Sequence, residues 1–135
     1  MRQNVIVAKP PVYDRCIAVF GEAVIVGKPI LWAWGDTIYN PLDIDIPREL
    51  FAHEAVHGER QLAVDPHRWW DNYLTDTLFR YNEERLAHRA EWRNMVKYGA
   101  GKNLTPAFEA IAGRLAGPLY GNVATLKEAQ TDLLA

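Results

Sequence analysis

Phe51-Ala52-His53-Glu54-Ala55-Val56-His57-Gly58-Glu59-Arg60 is the stretch on which the reading of this chain turns. Inside it lies His-Glu-x-x-His. On a helix, residues four apart stand on the same face, one turn above the other. His53 and His57 could therefore grip one metal ion from one side. Glu54 projects about 100° around the helix from His53. That makes it a poor third ligand but lets it touch a water on the metal. Two imidazoles and a carboxylate in this order are the layout of zinc-assisted hydrolysis, with Glu54 as general base. The motif lacks a third ligand, a floor under its helix and a wall for a substrate, and the rest of the chain can be read as supplying them.

The chain has 135 residues, enough for one domain with one core and not comfortably enough for two. Its apolar and charged fractions are those of a soluble globular protein. A formal net charge of −2 leaves no basic footprint for nucleic acid. The single cysteine, Cys16, rules out an intrachain disulfide framework and fits a reducing compartment. Residues 1–10 hold too short an apolar run for a signal peptide. No stretch approaches the roughly 20 apolar residues that span a membrane. The expectation is a soluble cytoplasmic domain that engages neither nucleic acid nor a membrane.

Asn4 to Ala8 reads as a short strand stopped by Pro10-Pro11. Residues 16–26 are rich in β-branched residues, and Gly21 divides them into two strands or a short helix and a strand. Gly27-Lys28-Pro29 is a turn signal. Residues 30–39 look like a hairpin, with Gly35-Asp36 as its turn and Trp32 and Trp34 on one face. The N-terminal third is thus expected to form a small, mostly antiparallel sheet.

From residue 46 the pattern turns helical. Pro47 suits a first turn, and the motif helix runs from Arg48 to about Ala63. Its projection places Phe51, Ala52, Ala55, Val56, Leu62 and Ala63 on an apolar face that can dock on the sheet. His53, His57 and Arg60 fall on the opposite side. Glu59 interrupts the apolar face and needs a partner, with Arg85 or Arg89 as candidates. Asp65-Pro66 starts a second helix, about 66–80. Asn82 can cap a third, about 83–98, or mark a kink in a single longer helix. Thr105-Pro106 opens a helix over about 106–116, and Thr125 to Glu128 has the spacing of a capping box before a last one. Arg80, Arg85, Arg89 and Arg93 read as a solvated ridge, and Cys16 as a small buried residue. The fold class is α+β: the sheet packed on the motif helix, followed by three to four further helices.

A catalytic zinc takes three protein ligands and leaves a position for water. On the third helix the candidates are Glu83, Glu84, His88 and Glu91. Here the chain resembles a known pattern. His53-Glu54-Ala-Val-His57, followed by Tyr81-Asn82-Glu83-Glu84-Arg85-Leu86-Ala87-His88, is similar to the gluzincin branch of the zincin-like metallopeptidases. In that branch the third ligand is a Glu on a later helix, often in a Glu-x-x-Ala frame, which Glu84 to Ala87 matches. The resemblance covers about residues 30–91. It departs from the pattern where many gluzincins carry an Asp four residues after the ligand Glu, because that slot here is His88.

The resemblance implies a zincin-like fold and a zinc-dependent metallopeptidase. Zn2+ would be held by His53, His57 and Glu84, with His88 the competing third ligand. Glu54 would be the base that deprotonates the attacking water, and a peptide or protein would be the substrate. Tyr120, Tyr81 and His88 are candidates for stabilising the carbonyl oxygen. The substrate could add as a strand along residues 30–39. The alternative is a catalytically inactive zinc-binding structural or interaction domain. A metal-free structural domain is the third reading. The small size would suit a phage or prophage protein.

Overall fold

The computed structural model describes residues 2–135. Three short strands and seven α-helices make up the described chain. Strand β1 (Asn4–Ile6) leads into helices α1 (Tyr13–Phe20) and α2 (Glu22–Ile25). The hairpin β2 (Trp32–Trp34) and β3 (Thr37–Tyr39) comes next. Then follow α3 (Arg48–Val64), α4 (Pro66–Thr75), α5 (Thr77–Tyr98), α6 (Thr105–Leu115), a single 3-10 turn (Pro118–Tyr120) and α7 (Leu126–Leu134). The class is α+β, as read.

The sheet is mixed rather than mostly antiparallel. Its order is β1-β3-β2, with β1 parallel to β3 and β2 antiparallel to β3. The hairpin turn falls at Gly35-Asp36, with Gly35 at φ +58°. Residues 16–26 do break at Gly21, which sits at φ +92°, but both halves are helical. Their apolar residues spread over a helix surface: Cys16 and Ile25 point inward, while Val19, Val24 and Val26 stay exposed.

The motif helix also packs differently from its apolar projection. The buried residues of α3 are His53, Glu54, His57, Gly58 and Gln61, whereas Phe51, Leu62 and Val64 are exposed. The cause lies in the partner helix. The face of α5 that meets α3 carries Glu84, Ala87, His88 and Glu91, all buried. Two polar stripes can be buried together when each satisfies the other's hydrogen bonds. Glu59 then needs no partner, because it is exposed. Ala87, fully buried, takes little space between the helices.

Gln61 joins this helix to the sheet. Its Oε1 accepts from the backbone N–H of Gly35 at 2.6 Å, and its Nε2 donates to the carbonyl of Ala33 at 3.0 Å. Trp70 Nε1 donates to the same carbonyl at 3.1 Å. Helix α4 starts at Pro66, where Asp65 caps it by accepting from Arg68 N. The next break comes at Asp76, not Asn82: its carboxylate accepts from the N–H groups of Leu78 and Phe79 and starts α5, which runs unbroken to Tyr98.

Apolar clusters lie on both sides of the α3–α5 seam. Val12, Cys16, Ile25, Trp32, Trp69, Trp70, Tyr73 and Leu74 form one, and Tyr81, Ile111, Ala112, Leu115, Tyr120, Ala129 and Leu133 the other. Arg80 is not solvated, as the ridge reading has it, but buried. It donates to the carbonyls of Tyr73, Leu74 and Leu119 and lies over the Phe20 ring. Arg89 and Arg93 donate to the carbonyls of Asp132 and Ala135, fastening α7 to α5. The capping box at Thr125 and Glu128 is present.

Truncating Gln61 tests the joint between helix and sheet. Gln61→Ala leaves the buried Gly35 N–H without its acceptor and should cost on the order of 2 kcal/mol in chemical denaturation. A loss below about 0.5 kcal/mol, the range of ordinary surface substitutions, would show that the bridge carries little.

Candidate metal centre

Helix α3 brings His53, Glu54 and His57 to the seam, and α5 brings Glu84, His88 and Glu91 at spacings of four and three, which share one helical face. Three side-chain atoms converge there. Glu84 Oε1 lies 2.5 Å from His57 Nε2 and 3.4 Å from His53 Nε2, and the two ring nitrogens are 3.2 Å apart. A tetrahedral ion with bonds of about 2.0–2.2 Å holds its ligand atoms roughly 3.3–3.5 Å apart. Two of the three separations fit that frame, and the third is tighter. Despite these approaches Glu84 Oε1 makes no well-formed hydrogen bond among the described residues, though it is buried. Buried oxygens are almost always satisfied, so a lone pair aimed between two imidazoles is suited to a cation. The buried group His53, Glu84 and His88 could hold a metal ion.

His88 enters through that group, in which one ligand atom each from His53, Glu84 and His88 lies within 4.8 Å of the others. Both of its ring nitrogens are already engaged. Nδ1 is 3.0 Å from Glu91 Oε1 and Nε2 is 3.3 Å from the Tyr120 hydroxyl.

Glu91 does the orienting. Its Oε1 lies 2.8 Å from His53 Nδ1, which leaves His53 Nε2 facing Glu84. A carboxylate behind a ring in this way fixes tautomer and direction in metal sites. Tyr73 donates to Glu84 Oε2 at 3.3 Å, leaving Oε1 free for the rings. Glu83 turns away from the centre: its Oε1 accepts from Trp69 Nε1 at 2.6 Å and from Arg60 Nε at 2.7 Å, tying α4 and α3 to α5.

Burial opposes charge at every one of these groups, and the neighbours decide the outcome. For His53, burial works downward, but the neighbouring Glu84 and Glu91 carboxylates outweigh it and hold the ring well above its usual value. Glu84 is pushed up by burial and pulled further down by His57 and His53, ending well below the usual carboxylate range. His88 is lowered by burial and by the charge of His53. Glu54 is raised by burial, only partly offset by His53 and His57. No hydrogen bond holds the Glu54 carboxylate among the described residues, and it lines the cleft beside the triad.

That cleft has a volume of about 280 Å³. Phe20, Ile25, Ile30 and Trp32 form much of its apolar wall. Of the oxygen-stabilising candidates, Tyr120 and His88 line the cleft, while Tyr81 bonds Asp132 away from it. Tyr73 and Arg114 reach the centre without a sequence reading that placed them there. Tyr73 sits within an aromatic stripe at helical spacing, which hides its hydroxyl. The polar stripe Glu84, His88, Glu91 was the visible sign of the second helix face.

No protein family, curated protein or solved structure matches this chain. Among the described residues no helix is long and apolar enough to cross a membrane.

The second carboxylate gives a pH test. Burial alone would raise Glu91, but His53 and His88 bring it down to about 2. Its folded value is depressed against an ordinary value of about 4.3. Its stabilisation is therefore complete above about pH 4.3 and is lost as pH falls toward about 2. Glu91→Gln should cost on the order of 3 kcal/mol at pH 7 and flatten the stability profile across that window in acid denaturation. An unchanged acid limb would show that Glu91 is not the coupled group.

Proposed function

We propose that the protein is a zinc-dependent peptidase in which His53, His57 and Glu84 hold the ion and Glu54 is the general base. The observation that carries this reading is the unsatisfied Glu84 Oε1 set between two imidazole nitrogens, with the uncommitted carboxylate of Glu54 next to them. The gluzincin resemblance over residues 30–91 assigns the same roles to the same four residues.

Zinc, when bound, supplies Lewis acidity that brings the pKa of a water to about 7 and polarises a carbonyl. The remaining work falls to the chain. Glu91 turns His53 so that Nε2 faces the centre, and Tyr73 holds the far oxygen of Glu84. Glu54 sits in a desolvated place where its affinity for a proton is raised. A base poised in this direction can take the proton of the attacking water and hand it to the leaving amine. Of the earlier candidates Tyr120 lines the cleft, and its hydroxyl would have to turn from His88 Nε2, 3.3 Å away, to donate to the carbonyl oxygen.

The substrate would be a peptide or protein lying along an edge strand. β2 is a sheet edge, and its Trp32 and Ala33 line the cleft. The Ala33 carbonyl is taken by Gln61 and Trp70 and the Ile30 N–H by the Lys28 carbonyl, so the stretch open to an added strand is Leu31 and Trp32.

A zinc-binding domain without activity is the second reading. It is favoured by the burial of all three ligands in the seam that joins α3 to α5, where an ion would also knit the fold. Metal analysis and hydrolysis together separate the two. Purified protein should carry one zinc per chain, and no stoichiometric zinc would end both readings. Glu54→Gln should keep the metal and lower hydrolysis of a peptide library by roughly 10²-fold or more. Full activity in that variant would remove Glu54 as base. Zinc without any cleavage by the wild type would leave the structural reading.

A further inference from the structure

Most arginines near the centre spend their donors inside the protein. Arg60 bonds Glu83, Arg80 bonds three carbonyls, and Arg89 and Arg93 hold the backbone of the last helix. Arg114 does not. It lies in the last turn of α6 and carries the one guanidinium among the described residues that line the cleft. Its side chain is 56% exposed, and its nearest carboxylate oxygen, Glu91 Oε2, is 3.7 Å from the guanidinium. That separation is too long for a hydrogen bond. Glu91 Oε1 is already shared by His53 and His88. No hydrogen bond engages the Arg114 guanidinium among the described residues.

A planar fork with five N–H donors thus stands over a cleft whose other lining is mainly apolar or acidic. The group that matches it is a carboxylate, which accepts two parallel N–H bonds from such a fork. A dianion would meet stronger repulsion from Glu54 and Glu91 on the same cleft wall. Arg114 connects to the His53 ring through the Glu91 carboxylate alone. A carboxylate on it would therefore sit within about five extended residues of Glu84, at ~3.3 Å each.

We propose that Arg114 is a specificity-determining residue that receives a carboxylate of the peptide, either a free C-terminus or an acidic side chain. The inference rests on the peptidase reading for the identity of the ligand as a peptide.

The test uses zinc-loaded Glu54→Gln protein and one pool of hexapeptides in three forms. These are the free acid, the C-terminal amide, and the amide with a single Asp. Binding is read from the fluorescence of Trp32, Trp69 and Trp70 at the cleft. At least one carboxylate form should bind about tenfold tighter than the neutral amide. Preference for the free acid identifies the C-terminus as source, and preference for the Asp form identifies the side chain. Adding Arg114→Ala or Arg114→Gln should bring the ratio to about one, with an unchanged melting temperature, while Arg114→Lys should keep part of it. Equal binding of all three forms overturns the proposal, as does a preference that survives Arg114→Gln. Hydrolysis of the same pools by the wild type separates the two claims. Cleavage with no carboxylate preference removes only the role of Arg114. Carboxylate-dependent binding with no cleavage removes only the peptidase reading. Neither binding nor cleavage removes both.

Discussion

The structure depends on one arrangement: three imidazoles and three carboxylates buried between two helices. His53, Glu54 and His57 on α3 meet Glu84, His88 and Glu91 on α5, and each is at least nine-tenths buried. A buried charge without a partner would cost several kcal/mol, so such a seam can exist only if its members satisfy one another. Glu91 does so for His53 and His88, and Tyr73 for one oxygen of Glu84. What is left over is Glu84 Oε1 and His57 Nδ1, both fully buried, and the Glu54 carboxylate at the cleft. The leftover oxygen points at the two ring nitrogens, and this residual is what makes the seam a candidate metal centre rather than a polar core.

Much of the surrounding fold reads as support for that seam. Glu83, next to the ligand Glu84 in sequence, faces away and is held by Trp69 and Arg60. His57 contacts Trp69 and Tyr73 edge-on, so the first apolar cluster buttresses one ring. His88 meets Tyr120 from the second cluster. Gln61, one turn beyond His57, secures the sheet edge against the same helix. The candidate ligands are thereby placed by packing on both sides and not by loops, which suits a site that needs fixed geometry.

Local signals were legible in the sequence wherever they rested on one residue's chemistry. Asp65-Pro66 starts α4, Gly21 breaks residues 16–26, Gly35-Asp36 turns the hairpin, and Thr125 with Glu128 caps α7. Spacing paired His53 with His57, the gluzincin resemblance added Glu84, and the three side chains do meet in space. The failures came where tertiary context overrides pattern. Apolar periodicity chose the wrong face of α3, because the seam is polar and its burial depends on residues some 30 positions away. Asp76 outcompeted Asn82 as a cap because its carboxylate takes two backbone N–H groups at the start of α5. Residues 13–25 are β-branched in composition yet helical, since their apolar side chains cover α4 and the cleft. Arg80 looked solvated because nothing local shows that carbonyls from α4 and from the turn before Gly121 converge on it.

Glu91, nearly two turns past Glu84 on the same helix, is the carboxylate that orients His53. His88 is drawn in as a second ring on the same oxygen. The most direct measurement of the central claim is X-ray absorption at the zinc edge of metal-loaded protein. Two imidazole nitrogens and a carboxylate oxygen at about 2.0–2.2 Å would agree with His53, His57 and Glu84 as ligands. Three imidazoles in the first shell, or a protein that takes up no zinc, would contradict it.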